Sequence, residues 1–371
     1  ASDVYKRQPQ LQANPLEVGA RIAASGRNPA EVVAEELKSG SLKMACHDPD
    51  NPQNWPRNMF FWRSNVLGAS GKGHEYFLKH FVGSLHGVVG TDEGADIDRP
   101  QEVVWHEDAP VGKLDLMVNI DFRMSTTSIY SDIVLPTATW YEKHDLNTSD
   151  MHPFIHPLTA AVDPAWEARS DWNIFRGIAK AFSDIALEVL GVEQDIVLTP
   201  IQHDTAAELA QPYEPKDWGR GECEPVPGRT MPSVALVERD YSQVYARFTS
   251  LGPALEKMGN GAKGLMWNTA HEVELLGKLN GTVLDGPTAG RPKIDTDIDA
   301  CETILMLAPE TNGEVAVKAW NVLSKATGRS HHHLADGKEE EKIRFRDVVA
   351  QPRKIISSPI WSGLESEKVC Y

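Results

Sequence analysis

The stretch from Leu114 to Ile120 is apolar at nearly every position and ends at Asp121-Phe122-Arg123. A strand of that kind has to be covered on both faces, which is the situation of a parallel sheet flanked by helices. Two other segments share its character. Met59-Phe60-Phe61-Trp62 is a short apolar run that gives way to Arg63-Ser64-Asn65 and then to Gly68-Ala69-Ser70-Gly71-Lys72-Gly73. Behind it, His74 to Val82 places Tyr76, Phe77, His80 and Phe81 at helical spacing. The order predicts strand, glycine-rich loop, helix. Asp132-Ile133-Val134-Leu135-Pro136 predicts a third short strand, stopped by its proline. The chain therefore reads as α/β, a Rossmann-like, mostly parallel sheet domain, to which a helix-rich extension is attached.

A chain of 371 residues calls for two or three domains. Residues 1–8 carry no periodicity and read as a non-native end. Residues 9–57 read as a helical and loop lead-in, with helices over Leu16–Ala24 and Ala30–Leu37 and a Pro/Asn-rich stretch from Asp48 to Arg57. The α/β part is expected over 58–165 and the helix-rich extension over 166–349. Within the latter, one stripe carries Trp172, Phe175, Ile178, Ala179, Phe182, Ile185 and Val189, with Ser170 as its cap. Thr269 and Glu272 have the spacing of a capping box, and Gly328 ends a helix beginning near Glu314. Residues 350–371 have loop composition and read as a truncated linker.

Charge and cysteine usage remove several function classes. Lys and Arg number 37 against 53 Asp and Glu, a net charge of −16, which repels phosphate backbones and anionic lipid. No window approaches the roughly 18 uninterrupted apolar residues of a membrane span, and no basic-then-apolar leader opens the chain. Cys46, Cys223, Cys301 and Cys370 lie far apart without C-x-x-C spacing, which excludes zinc ribbons and iron–sulfur runs within this chain. They read as reduced, cytoplasmic thiols.

Three groups of residues could carry chemistry. The loop at Gly71, Lys72 and Gly73 is no P-loop, because Val66 stands at the first glycine position and Gly73 follows the lysine. Its glycines would still let backbone amides approach a phosphate, with Lys72 and Arg63 adding positive charge; a plain tight turn is the competing reading. Asp121 with Arg123, Ser125, Thr126 and Thr127 stands at the carboxyl end of the buried strand, where open α/β sheets bind ligands. There a carboxylate accepts two N–H bonds from a guanine edge or binds a ribose hydroxyl pair, unless it merely pairs with Arg123 at the surface. Thr137 to His156 is rich in donors and acceptors and reads as a long loop. Its His144, His152 and His156 read as capping or core histidines, since zinc-ligand spacing is missing. His331-His332-His333 and Lys338–Lys342 read as solvated surface. No Ser/His/Asp or Cys/His arrangement can be assembled, and no catalytic or metal-ligating residue is assigned.

Longer runs carry a resemblance. Asn58-Met-Phe-Phe-Trp-Arg-Ser-Asn-Val-Leu-Gly-Ala-Ser-Gly-Lys-Gly-His-Glu75, Tyr130 to Lys143 and Asn147-Thr-Ser-Asp-Met-His-Pro-Phe-Ile-His156 resemble the catalytic alpha subunits of membrane-bound respiratory nitrate reductases. Asp163-Pro-Ala-Trp-Glu167, Pro309-Glu-Thr-Asn-Gly313 and Gln351 to Pro359 extend the likeness, which covers residues 9–370. These subunits are molybdopterin oxidoreductases similar to dimethyl sulfoxide reductase, whose shared acidic-Ile/Val-Val-Leu-Pro segment corresponds to Asp132 to Pro136.

The resemblance implies a molybdenum bis(molybdopterin guanine dinucleotide) cofactor. Phosphate would lie near Gly71, Lys72 and Gly73, and guanine or ribose near Asp121, Arg123 and Ser125. Arg63, Ser64 and Asn65 would face the pterin, Asp132 and Pro136 of the shared segment would belong to the cofactor-binding set, and Trp140, Glu142 and Asn147 would line a far wall, either contacting the cofactor or bracing it. The family's His/Cys cluster for a [4Fe–4S] centre and its molybdenum-ligating Asp have no counterpart here, so the chain reads as an internal fragment. The implied activity is reduction of nitrate to nitrite with electrons from quinol. The implied partners are an iron–sulfur beta subunit and a haem b membrane-anchor gamma subunit, at the cytoplasmic face of the membrane. The 166–349 extension would meet another subunit. Related enzymes acting on chlorate, perchlorate or selenate, and a non-catalytic nucleotide-binding module, are the alternatives.

Overall fold

The computed structural model describes residues 11–45, 48, 50–69, 77–84, 110–149, 152–199, 221–262, 265–347 and 351–359. The chain divides into two compact units, one of residues 1–137, 194–201 and 215–237, the other of residues 138–193, 202–214 and 238–371.

In the first unit, helices α1 (Pro15–Ser25) and α2 (Pro29–Ser39) start and stop by the same chemistry. Asn14 accepts from the Leu16 N–H and Asn28 from the Ala30 N–H, each with proline at the first helical position. Gly26 and Gly40 then end the helices at φ 65° and 77°, which a side chain would resist. Val18, Ile22, Val33 and Leu37 pack with Ile196, Leu198 and Met231 into one core. Gly19 allows this approach: a Cβ there would lie 2.1 Å from the Gln194 carbonyl oxygen.

The expected parallel sheet is present. Strand β1 (Asn58–Trp62) is followed by a one-turn helix α3 (Val66–Ala69), β2 (Leu116–Asp121) by a one-turn helix α4 (Thr126–Ile129), and β3 (Ile133–Pro136) completes the set. All pairings are parallel in the order β1-β2-β3, with Trp62 opposite Ile120 and Asp121 opposite Pro136. β2 is buried from Met117 to Asp121, as its composition requires of the central strand. Phe61, Leu67, Leu78 and Met117 form the core on this sheet.

The second unit begins with a difference from expectation. The region read as a long loop contains β4 (Asp145–Ser149) paired antiparallel to β5 (His152–Leu158), with Asn147 opposite His156. Pro153 and Pro157 cannot donate to a ladder, and Asp145 and Asn147 are of types depleted in strands, so pattern alone points away from strand. Helix α5 (Asp171–Val189) follows, capped by Ser170. Strands β6 (Val192–Thr199) and β7 (Ser233–Asp240) pair with each other and carry the chain between the units. Short helices α6 (Val244–Phe248) and α7 (Ala254–Lys257) lead to β8 (Asn260–Ala262) and β9 (Leu265–Trp267), an antiparallel pair. Helices α8 (Ala270–Asn280), α9 (Asp297–Leu307) and α10 (Gly313–Thr327) build the interior, and β10 (Arg353–Lys354) pairs with β5.

Helix α9 has no amphipathic stripe because two cores use it, Cys301 and Leu305 in one, Met306 and Leu307 in the other. The predicted capping box at Thr269 does not form. Thr269 donates its hydroxyl to the Leu255 carbonyl, and Glu272, fully buried, accepts from the Lys318 ammonium at 2.7 and 2.8 Å. His331, expected in solvent, is buried and stacks on Trp320 at 5.9 Å, while His332 and His333 are exposed as read.

Candidate functional site

The carboxyl edge of the parallel sheet gathers the first set of expected residues. Arg63 leaves β1 with φ 53°, a left-handed conformation costly for a side chain of its size. Its N–H nevertheless continues the ladder, donating to the Ile120 carbonyl at 2.9 Å. The turn sends the Arg63 guanidinium to the ring of Phe122, 5.4 Å from the centroid, and Arg123 reaches the same ring at 5.3 Å. Two cations sharing one aromatic ring place concentrated positive charge at the sheet edge of an otherwise acidic chain. Phe122 was not singled out in the sequence; the Arg63 and Arg123 that flank it in space are 60 residues apart, and its only local signal is its place between Asp121 and Arg123.

Asp121 is 8% exposed, and its Oδ1 accepts from the Arg123 backbone N–H at 3.2 Å. The surface ion pair weighed for these two residues does not form: the Arg123 guanidinium goes to Phe122 and its N–H to Asp121. Asn65, half-buried, ties the edge together. Its Oδ1 accepts from Gly68 N–H (3.2 Å), Thr127 N–H (3.2 Å) and Thr127 hydroxyl (3.0 Å), and Thr127 Oγ1 accepts from Leu67 N–H at 3.0 Å. A Cβ on Gly68 would sit 2.4 Å from Asn65 Nδ2 and 2.8 Å from Thr126 Oγ1, so glycine is required for this closure. Ser64, also half-buried, stands between Arg63 and Asn65 in the same turn. Ser125 and Ser128 cap α4 reciprocally.

Asp132 and Pro136 belong to the opposite ends of β3. Asp132 precedes the strand and closes its start, with Oδ2 accepting from Met117 N–H at 2.8 Å and its own N–H donating to the Met117 carbonyl at 2.9 Å. It therefore lies at the amino edge of the sheet, away from Asp121. Pro136 is at the carboxyl edge, exposed, opposite Asp121. Gly71, Lys72 and Gly73 fall outside the described residues.

Trp140, Glu142 and Asn147 belong to the second unit. Trp140 is 45% exposed in a turn that Glu142 closes, its Oε2 accepting from Thr139 N–H at 2.9 Å. Asn147 is exposed on β4. Glu142 lines a cavity of about 560 Å³ whose wall also carries Arg169, Arg176, Lys180 and Tyr245. Arg176 and Lys180 both approach the Tyr245 ring, at 5.7 and 5.8 Å. Beneath it, the buried Lys143 ammonium bridges Asp145 and Asp171, the latter at 2.7 Å. His144 accepts from Ala160 N–H at 3.3 Å, the hydrogen-bonded fate expected of it. His152 and His156 face one another at 5.3 Å between centroids. Among the described residues no group of three His, Cys, Asp or Glu could hold a metal ion.

Comparison with known proteins gives two family matches. The family model described as "Molybdopterin oxidoreductase" matches residues 7–181, and "Nitrate reductase alpha chain, domain V" matches residues 258–371. The chain is 62% identical over 364 residues to the respiratory nitrate reductase 2 alpha chain of Escherichia coli K12, covering 98% of this chain and 29% of that protein. It is 47% identical over 367 residues to the nitrate reductase alpha chain of Bacillus subtilis 168, again 98% of this chain and 29% of the relative. The perchlorate reductase subunit alpha of Dechloromonas aromatica is 50% identical over 68 residues, 18% of this chain and 7% of that protein. The chain thus spans under a third of the length of the nitrate reductase relatives it matches.

Proposed function

We propose that the chain belongs to the molybdopterin oxidoreductases, among the respiratory nitrate reductase alpha chains it is similar to, and that it is the segment of such a catalytic subunit that holds the dinucleotide end of the cofactor. The observation that carries this reading is the Arg63–Phe122–Arg123 stack beside Asp121 at the carboxyl edge of β1 and β2. Guanidinium groups are the preferred partners of phosphate, and a carboxylate held by a backbone N–H retains acceptor sites for a guanine edge or a ribose. The donor set fits a guanine dinucleotide whose pyrophosphate meets Arg63 and Arg123 and whose base or sugar meets Asp121.

Asn65 and Ser64 position that edge, Asn65 by fixing the α3 and α4 turns against each other. Gly71, Lys72 and Gly73 extend the phosphate-binding set in this reading, while Trp140, Glu142 and Asn147 brace the cofactor from the second unit. Asp132 holds the start of β3 in register against Met117. The bound group supplies oxygen-atom transfer and two-electron chemistry at molybdenum; the protein supplies binding, orientation and electrostatics. The substrate is nitrate, with quinol as the ultimate electron source through an iron–sulfur beta subunit that carries electrons from a haem b gamma subunit. A [4Fe–4S] cluster belongs to other parts of the full-length subunit. No helix among the described residues is long and apolar enough to cross a membrane; in this reading the subunit is attached at the cytoplasmic face through those partners. The perchlorate reading has a likeness over 18% of the chain behind it, against 98% for nitrate.

The test replaces Arg63 and Arg123 together by Ala in a subunit of the relatives' length. Guanosine monophosphate released by acid hydrolysis and molybdenum per subunit are then measured, with circular dichroism as the check on folding. Retained fold with lost nucleotide supports the reading. Unchanged nucleotide and molybdenum would reject it.

A further inference from the structure

The cavity of about 560 Å³ in the second unit lies along the first turns of α5, where Ser170, Asn173, Arg176 and Lys180 share one face of the helix. Its cations have different fates. Lys180 is committed to Asp184, at 2.9 and 3.0 Å, and Lys143 bridges Asp145 and Asp171. Arg169 and Arg176, by contrast, make no ion pair and no side-chain hydrogen bond among the described residues. Arg176 lies against the Tyr245 ring, 5.7 Å from its centroid, with Nε shut off from solvent, which leaves its terminal nitrogens for the cavity. Three carboxylates, Glu142, Asp163 and Asp297, line the same cavity, yet neither arginine pairs with one. Glu142 accepts from Thr139 N–H and Asp297 from Ile298 N–H instead. A half-buried guanidinium without a counter-ion is costly, and the chain supplies none for either arginine.

We propose that this cavity binds a small, planar, monovalent oxyanion held by the guanidinium groups of Arg169 and Arg176. The planar fork of a guanidinium matches two oxygens of one planar anion, and the start of α5 adds the positive end of a helix dipole. The carboxylates set the charge of the ligand. A dianion such as sulfate meets twice the repulsion from Glu142, Asp163 and Asp297 that a monoanion meets. The volume lies in the range of small-molecule sites and leaves room for the waters of such an anion. Nitrate and a small carboxylate such as acetate share this chemistry, each being flat, singly charged and able to face a guanidinium with two oxygens. All the residues concerned belong to the second unit, and the arginines at the sheet edge take no part.

The test is arginine footprinting of the full-length subunit with its natural partners and without an electron donor, so that nitrate is not consumed. The protein is treated with p-hydroxyphenylglyoxal in sodium chloride, nitrate, acetate or sulfate at matched ionic strength, and modified peptides are quantified by mass spectrometry. Arg229, exposed in the first unit, is the control. The expected result is several-fold slower modification of Arg169 and Arg176 in nitrate, in acetate or in both, with sulfate protecting less and Arg229 unchanged. Protection by nitrate alone identifies an inorganic ligand, protection by acetate alone a carboxylate. In Arg176→Gln the protection of Arg169 should be lost while its labelling in chloride stays the same, because both arginines hold one anion. No protection by nitrate or acetate, equal or greater protection by sulfate, equal protection of Arg229, or protection of Arg169 that survives Arg176→Gln would each overturn the inference. So would failure of both arginines to react in chloride, since the cavity would then be closed in the full subunit.

Discussion

The Asn65 side-chain oxygen accepts both the N–H and the hydroxyl of Thr127, at 3.2 and 3.0 Å, joining two turns that are 62 residues apart in the chain. Neither residue is in a strand, yet together they fix the carboxyl edges of two neighbouring strands. Thr127 is fully buried, so its polar groups have no water to fall back on.

Replacing Asn65 by Ala should therefore destabilise the chain by about 1–3 kcal/mol, the cost of leaving buried donors unsatisfied. Asn65→Asp keeps the acceptor and should cost less. Denaturant midpoints of the two variants give the comparison. Equal losses would show that the acceptor oxygen is not what matters.

Lys143 is buried between Asp145 and Asp171. Lys143→Met would remove the cation paired with the buried Asp171 carboxylate at 2.7 Å, a change that costs on the order of 3 kcal/mol. Adding Asp171→Asn should recover part of the loss, because an amide needs no counter-ion. Thermal melts of the single and double variants measure this; a double variant no more stable than the single one would contradict it.

The Arg21 guanidinium binds Glu36 through both oxygens, at 2.5 and 2.8 Å, and that hydrogen bond holds the Glu36 carboxyl below its ordinary value of 4.5. A depressed folded-state value stabilises the chain above the unfolded value, and the contribution is lost as pH falls through the folded one. Arg21 is half-exposed, so the effect is about 1 kcal/mol or less. Arg21→Ala should lower stability at neutral pH and converge with the parent as pH falls below the ordinary value of 4.5 and through the depressed folded one. A difference that persisted in acid would mean the loss comes from packing.

Cys301 is buried beside Leu305 and Phe345, and burial, followed by the nearby Asp145, Asp297 and Glu302 charges, pushes its thiol well above the ordinary range. It should resist alkylation at pH 8 in the native state and react fully in denaturant, because only the thiolate attacks. Mass mapping of iodoacetamide adducts reads this directly. Cys223, half-buried, should label before Cys301.

Much of this protein was decided by local chemistry. The apolar run through Ile120 determined a covered parallel strand, and Asn14-Pro15, Asn28-Pro29, Gly26 and Gly40 determined where two helices begin and end. The edge that bears Asp121 follows from strand direction alone. What tertiary structure decided was every feature made by residues remote in sequence. Phe122 became a shared platform only because β1 and β2 lie side by side and bring Arg63 to the same ring as Arg123. Asp132 was read with the site from its motif, yet strand direction puts it at the other edge, where it holds Met117. Glu272 had the spacing of a cap but went to Lys318, 46 residues on, since a fully buried carboxylate gains more from a cation than from one backbone N–H. Periodicity reports which side chains seek cover. Which partner provides it depends on the packing of distant elements, and no local pattern encodes that.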